Sequence, residues 1–465
     1  INTSNGGTNT LHDATGTVTL TAGNLSMNDA TTDVTVNGGT ATVHSIGGNF
    51  ALNNTATGNI TGDVTGTTTA ATGATLNFTG DGTTTGAVTA PVGGITVNAN
   101  RTFNDLTTSS IALNAANASA TLINYDLGGL TVSTTQNDRT QDIAVNVAQT
   151  ITGTVGSEAN PLGRLILNAD VVANINTATF YAVIAPATTG TGTVNFGVDG
   201  AMALGLGDET YALSTVNFNN NATITGDTYA TNITVADGKT ATFDGDVTAT
   251  IEPATAGNGT LTFTGNSTVT GSVGANAALA IINLQGSTTF SSTIAATTIN
   301  ASAGTNAFSG AVTGNVNPSG TATISAASTI TGDLDVAGAA LFTGNANNTD
   351  ITGTVSVDTS NGGTNTLHNA ASAVTLGAGT LTMNDATGVA STVSVGTGTL
   401  NIHNIANNLN FTDNGTANIS GAVGGNISTD TGNSGTATFT GTNTVTGSVG
   451  ANAALAIINL QGSTT

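Results

Sequence analysis

The chain is 465 residues long, with 6% charged residues, four Lys and Arg in all, and a formal net charge of −22. So few basic side chains exclude nucleic acid and anionic membrane surfaces as partners, because both require cations against phosphate. With no cysteine and no apolar run of 18 residues, disulfides, thiolate metal sites and a membrane-spanning helix are excluded as well.

Residues 1–103 read as short alternating strands broken by Asn and Gly turns. Thr17-Val18-Thr19-Leu20-Thr21 alternates over five residues, and Asn5-Gly6-Gly7 and Asn37-Gly38-Gly39 supply turns. β-branched Thr and Val suit a pleated surface, while Asn and Gly tolerate the positive φ of tight corners. A pentad, Ile/Val-Thr-Gly-x-Val, first appears here as Ile60-Thr61-Gly62-Asp63-Val64. It returns at Ile151-Thr152-Gly153-Thr154-Val155, Val269-Thr270-Gly271-Ser272-Val273, Val312-Thr313-Gly314-Asn315-Val316, Ile351-Thr352-Gly353-Thr354-Val355 and Val445-Thr446-Gly447-Ser448-Val449. With looser copies at 84–88, 224–228, 330–334 and 419–423, the short glycine-to-glycine steps are 18, 21, 24 and 26 residues. Spacing of about 22 residues is that of stacked units in a solenoid.

Residues 104–250 diverge. Arg139, Arg164, Lys239 and all four tyrosines (Tyr125, Tyr181, Tyr211, Tyr229) lie there. The stretches 136–142 and 156–161 read as loops that interrupt the coils, and recognition tends to reside on loops held by a rigid scaffold. Gln136, Asn137, Asp138, Arg139, Glu158 and Asn160 are therefore the candidate interaction residues. Segments 251–358 and 359–465 return to near-copies: residues 3–12 are repeated at 359–368, and residues 444–465 are identical to 268–289. Ile1 and Thr465 both fall inside repeated sequence, which reads as an excerpt of a longer polypeptide.

A strand of four or five residues cannot bury its apolar face alone, but coils stacked about 4.8 Å apart share one core. The expected fold is all-β, a right-handed parallel β-helix running through residues 1–465, with about 21 coils of roughly 22 residues. The pentad's Ile/Val, Gly and final Val should face inward and its Thr outward. Phe78, Phe263, Phe308, Phe342 and Phe439 should form an internal aromatic column, and repeated Asn and Thr should form side-chain ladders. A string of antiparallel sandwiches is the competing arrangement, and it lacks the linkers it needs every 90–100 residues.

The Phe-Thr-Gly-Asn…Val-Thr-Gly-Ser-Val-Gly units, the Thr/Asn/Gly/Ala background and the absence of cysteine resemble passenger domains of autotransporter outer-membrane proteins. The nearest likeness is to the rickettsial surface antigens of the outer membrane protein A and B type. The resemblance implies a parallel β-helix on the bacterial cell surface, extracellular, serving as coat or adhesin. The expected partners are a host or neighbouring cell surface, or copies of the chain itself in an S-layer-like coat or filament.

The residues offer little for catalysis. Glu158, Glu209 and Glu252 are isolated in sequence, and there is no Trp to floor a sugar cleft, so no enzyme is expected. The histidine pairs His12/His44 and His368/His403 read as products of duplication, since a metal site needs three or four ligands of fixed geometry. Asp63, Asp227 and Asp333 share the x position of the pentad. Calcium needs six to eight oxygens, so one carboxylate per coil is thin support for it, and no cofactor is expected.

Overall fold

The computed structural model describes residues 1, 7–90, 92–178, 180–360, 362–388 and 392–465. Alternation sets the strands: in Thr191–Phe196 and in Asn258–Phe263 every second residue is buried, with Val194, Phe196, Leu261 and Phe263 inside. All strand pairs are parallel, no helix occurs among the described residues, and the coils stack into a β-solenoid of about 23 turns. The all-β solenoid expected from the pentads is thus the fold, but its coils are shorter than 22 residues, roughly 19 on average.

The register explains the difference. Thr8 stands opposite Asn24 and Asn24 opposite Thr40, steps of 16, whereas Ser119 stands opposite Asp142, a step of 23. Pentads mark only some coils, and the surface turns between strands absorb the varying length at small entropic cost.

The chain forms two compact units, Ile1–Ile233 and Thr234–Thr465. In the first, Thr8–Ala14, Asn24–Ala30, Thr40–Ile46, Thr57–Ile60, Thr75–Phe78, Ile95–Val97, Ser110–Leu113 and Thr131–Ser133 pair in that order as one sheet. A second run of the same unit includes Ser119–Leu122, Asp142–Val145, Arg164–Leu167, Val183–Pro186 and Gly205–Leu206. In the second unit, Thr240–Phe243, Asn258–Phe263, Leu279–Leu284, Ile294–Ala301 and Val312–Pro318 stack likewise. The turn at Asn37-Gly38-Gly39 is present, with Gly39 at φ 81°. Its counterpart at Asn5-Gly6 lies outside the described residues.

In the pentads Ile60, Val64, Ile151, Val155, Val269, Val273, Val312, Val316, Ile351 and Val355 are buried, as expected. The pentad glycines range from buried, at Gly62, to half-buried, at Gly314. At Gly314, φ is 132° and an added Cβ would lie 1.8 Å from the Ala296 carbonyl oxygen of the coil beneath. The register slips there, between Ala295 and Thr298. This copy of the pentad therefore lies against a bulge of the coil beneath, where two backbones touch, and glycine is required there for that approach. Gly314→Ala is expected to cost about 2 kcal/mol or more in denaturant unfolding; a cost below about 0.5 kcal/mol would remove the close-approach explanation.

The core is aromatic in patches. Phe243 and Phe263 stack at 5.8 Å, Phe263 meets Phe290 edge-on at 5.5 Å, and Phe290 meets Phe308 at 5.9 Å. Phe78 pairs with Phe103, and Phe196 with Phe218. Of the residues expected in an internal column, Phe263 and Phe308 are linked through Phe290, and Phe342 and Phe439 are buried as well. Ladders do form: Asn195 Nδ2 donates to Asn174 Oδ1 and Asn217 Nδ2 to Asn195 Oδ1, each at 2.8 Å. Such rows satisfy polar groups on successive coils without charge.

Candidate functional site

In the first unit the opening residues of successive strands fall into one row. Asp142 stands opposite Arg164, Arg164 opposite Val183, and Val183 opposite Gly205. Leu206 then faces Thr228, and its amide donates to the Asp227 carbonyl. The small or half-buried residues Val183 and Gly205 sit between Arg164 and Asp227. Arg139 is contributed by the turn before Asp142, and Asp208 and Glu209 by the turn after Leu206. The result is a groove of about 670 Å³ crossing these coils, with Tyr229 also in its lining. A second hollow of about 380 Å³ shares Arg139 and Leu204 and adds Glu158, Pro161 and Tyr181.

The charges in the groove are partly committed to one another. Arg164 Nη2 donates to Asp142 Oδ2 at 2.9 Å. That hydrogen bond raises the guanidinium pKa against the opposing effect of burial, with Asp208 and Tyr211 adding to the rise. Asp208 Oδ1 accepts from the amides of Thr210 (2.8 Å) and Tyr211 (2.7 Å), which closes its own turn. Arg139 is exposed at φ 55°, a backbone that presents its side chain from a tight corner. Glu209 is exposed and belongs to the same lining.

Of the candidate interaction residues, the structure brings together Arg139 and Glu158. Asp138 instead organises its own loop, accepting from Gln141 Nε2 at 2.8 Å and from Thr140, and the Gln141 bond holds its carboxyl below the usual range. Gln136 Nε2 turns to the Asn114 carbonyl, Asn137 is exposed, and Asn160 closes a turn with Ser157. Glu209, isolated in the sequence, lies on the same groove as Asp142, Asp208 and Asp227. Arg164, Asp208 and Asp227 were not singled out for this site. The signal for Arg164 and Asp227 was present, since 142, 164, 183, 205 and 227 are each about one coil apart.

No family model, curated protein or solved structure matches the chain.

The other candidate clusters stay apart. His12 and His44 stand on alternate coils with Asn28 between them in register, as do His368 and His403 around Asn384. Two strand spacings separate each pair by roughly 9.6 Å, too far to share one ion. His44 meets Thr61 and His403 meets Ser420, while His12 and His368 meet Asp13 and Asp350. Asp63 Oδ1 accepts from the Thr83 amide and Asp333 Oδ1 from the Thr354 amide, both at 2.7 Å. These two carboxylates cap the next coil. Among the described residues no three His, Asp or Glu side chains converge as metal ligands would. Nor is there a helix long and apolar enough to cross a membrane.

Proposed function

We propose that this chain is a non-enzymatic structural and adhesive protein of a bacterial cell surface, an autotransporter-type passenger whose solenoid holds a contact groove toward a host or neighbouring cell. One observation carries the reading. In a chain with three arginines and four tyrosines, Arg139, Arg164, Tyr181 and Tyr229 all line one pair of adjoining hollows, while the remainder is near-copy. Two of the groove's carboxylates, Asp142 and Asp208, are already engaged, by Arg164 and by backbone amides, which leaves neither for catalysis. A general acid or nucleophile needs a carboxyl free to meet substrate.

The test is cell attachment by three forms of the chain: unaltered, with Arg139→Gly and Glu158→Ala, and with residues 271–446 deleted. That deletion joins Thr270 to Gly447, which restores the pentad at the seam. The groove variant is expected to lose attachment and the shortened chain to keep it. The reverse pattern would replace a local site with a role set by length alone, as in a coat or filament.

A further inference from the structure

The groove between the Arg139 and Asp208 turns also restricts what it can hold. Two guanidiniums, from Arg139 and Arg164, face four carboxylates, from Asp142, Asp208, Glu209 and Asp227. In a chain of net charge −22, that balance disfavours sulfated, carboxylated or phosphate-bearing ligands. An acyl chain or amphipathic helix needs a broad apolar surface. The side chains of Val183 and Leu204 are the only aliphatic ones in the lining, and both are half-buried. What remains are planar groups able to donate and accept side by side, together with one tyrosine ring, Tyr229, that offers an apolar face and a polar rim.

The groove also has a repeat. It crosses the rungs at Asp142, Arg164, Val183, Gly205 and Asp227, a span of about 20 Å at the strand spacing. One rung is close to the rise of one pyranose unit in an extended chain, so successive sugars would meet successive coils in the same manner. We propose that this groove binds an uncharged, hydroxyl-rich glycan strand of three or four units laid across the coils. Arg139 and Glu209, contributed by two different turns of the lining, hydrogen-bond its hydroxyls, and Tyr229 packs against a ring face. The proposal rests on the groove being the contact surface described above, and it names the chemistry that surface recognises.

The experiment probes a panel of immobilised neutral, carboxylated and sulfated oligosaccharides with the whole chain and with an Arg139→Gly/Glu209→Gln variant. Both side chains are exposed, and glycine adopts φ 55° freely, so an unchanged circular dichroism spectrum is expected to confirm the fold. The unaltered chain should be held by neutral oligosaccharides of three or more units. The variant should bind at least about tenfold more weakly, the loss that one charge-assisted hydrogen bond carries. Retention of anionic oligosaccharides alone, equal binding by the two proteins, or no neutral oligosaccharide held would overturn the proposal. Attachment to periodate-oxidised cells separates the two ideas: attachment that survives oxidation yet still needs Arg139 keeps the groove as contact surface and removes the glycan.

Discussion

Replacing Val269 by aspartate is expected to unfold the coils around it, whereas aspartate at Thr270, one residue on, should cost less than about 1 kcal/mol. Val269 has no exposed surface and stands between Val247 and Phe290 on the coils below and above. A carboxylate there has no cation or donor to meet it, and burying it unpaired costs roughly 4 kcal/mol or more. Thr270 points to water. Denaturant unfolding of the two variants checks the contrast, and equal losses would show that the face assignment is wrong. The equivalent pair Val445 and Thr446 should show a smaller difference, because Val445 is only half-buried.

A second large effect is expected at Arg101, a guanidinium inside the core. Its residue is 1% exposed. Nη1 donates to the carbonyls of Gly62 (2.7 Å) and Gly80 (3.3 Å), Nη2 donates to Thr84 Oγ1 (2.9 Å), and the group lies 4.8 Å from the centre of the Phe78 ring. Burial pulls its pKa down to about 10, against the attraction of Asp63 and Asp81, so it remains charged at neutral pH. One side chain thus ties its own coil to the backbones of two earlier ones and to the Thr84 hydroxyl.

Arg101→Ala removes those hydrogen bonds, strands the carbonyls and opens a cavity beside Phe78. The expected loss is about 3–5 kcal/mol. Arg101→Met refills most of the volume but leaves the carbonyls unpaired, and should cost about 1–3 kcal/mol. Unfolding in denaturant, with hydrogen exchange at residues 60–103 to localise the change, measures both. An alanine variant within about 0.5 kcal/mol of the unaltered chain would mean that desolvating the guanidinium cancels all it contributes.

Neither Arg101's burial nor the groove could be read from local pattern. Arg101 opens the stretch Arg101-Thr102-Phe103, in which it occupies a buried position that its charge would normally forbid. What admits it is the glycines of earlier coils. A Cβ at Gly82 would come within 2.4 Å of Arg101 Nη1. Likewise, the loops at 136–142 and 156–161 were visible as departures from the repeat. Arg139 and Glu158 line one hollow, whereas Asp138 and Asn160 are used to close their own turns.

The sequence by itself determined the strands, their inner and outer faces and the solenoid class. These depend on a period of two within a strand and on β-branched and Gly/Asn punctuation, all of it local. Tertiary structure decided the coil length, the bulge that makes Gly314 necessary, and which distant side chains share a row. The physical reason is that strand partners on neighbouring coils lie from 16 to 25 residues apart, so which side chains share a row is set by the length of each turn and not by a fixed period. Asp142 meets Arg164, and Arg164 lies one rung from Val183, only because the intervening turns have the lengths they do.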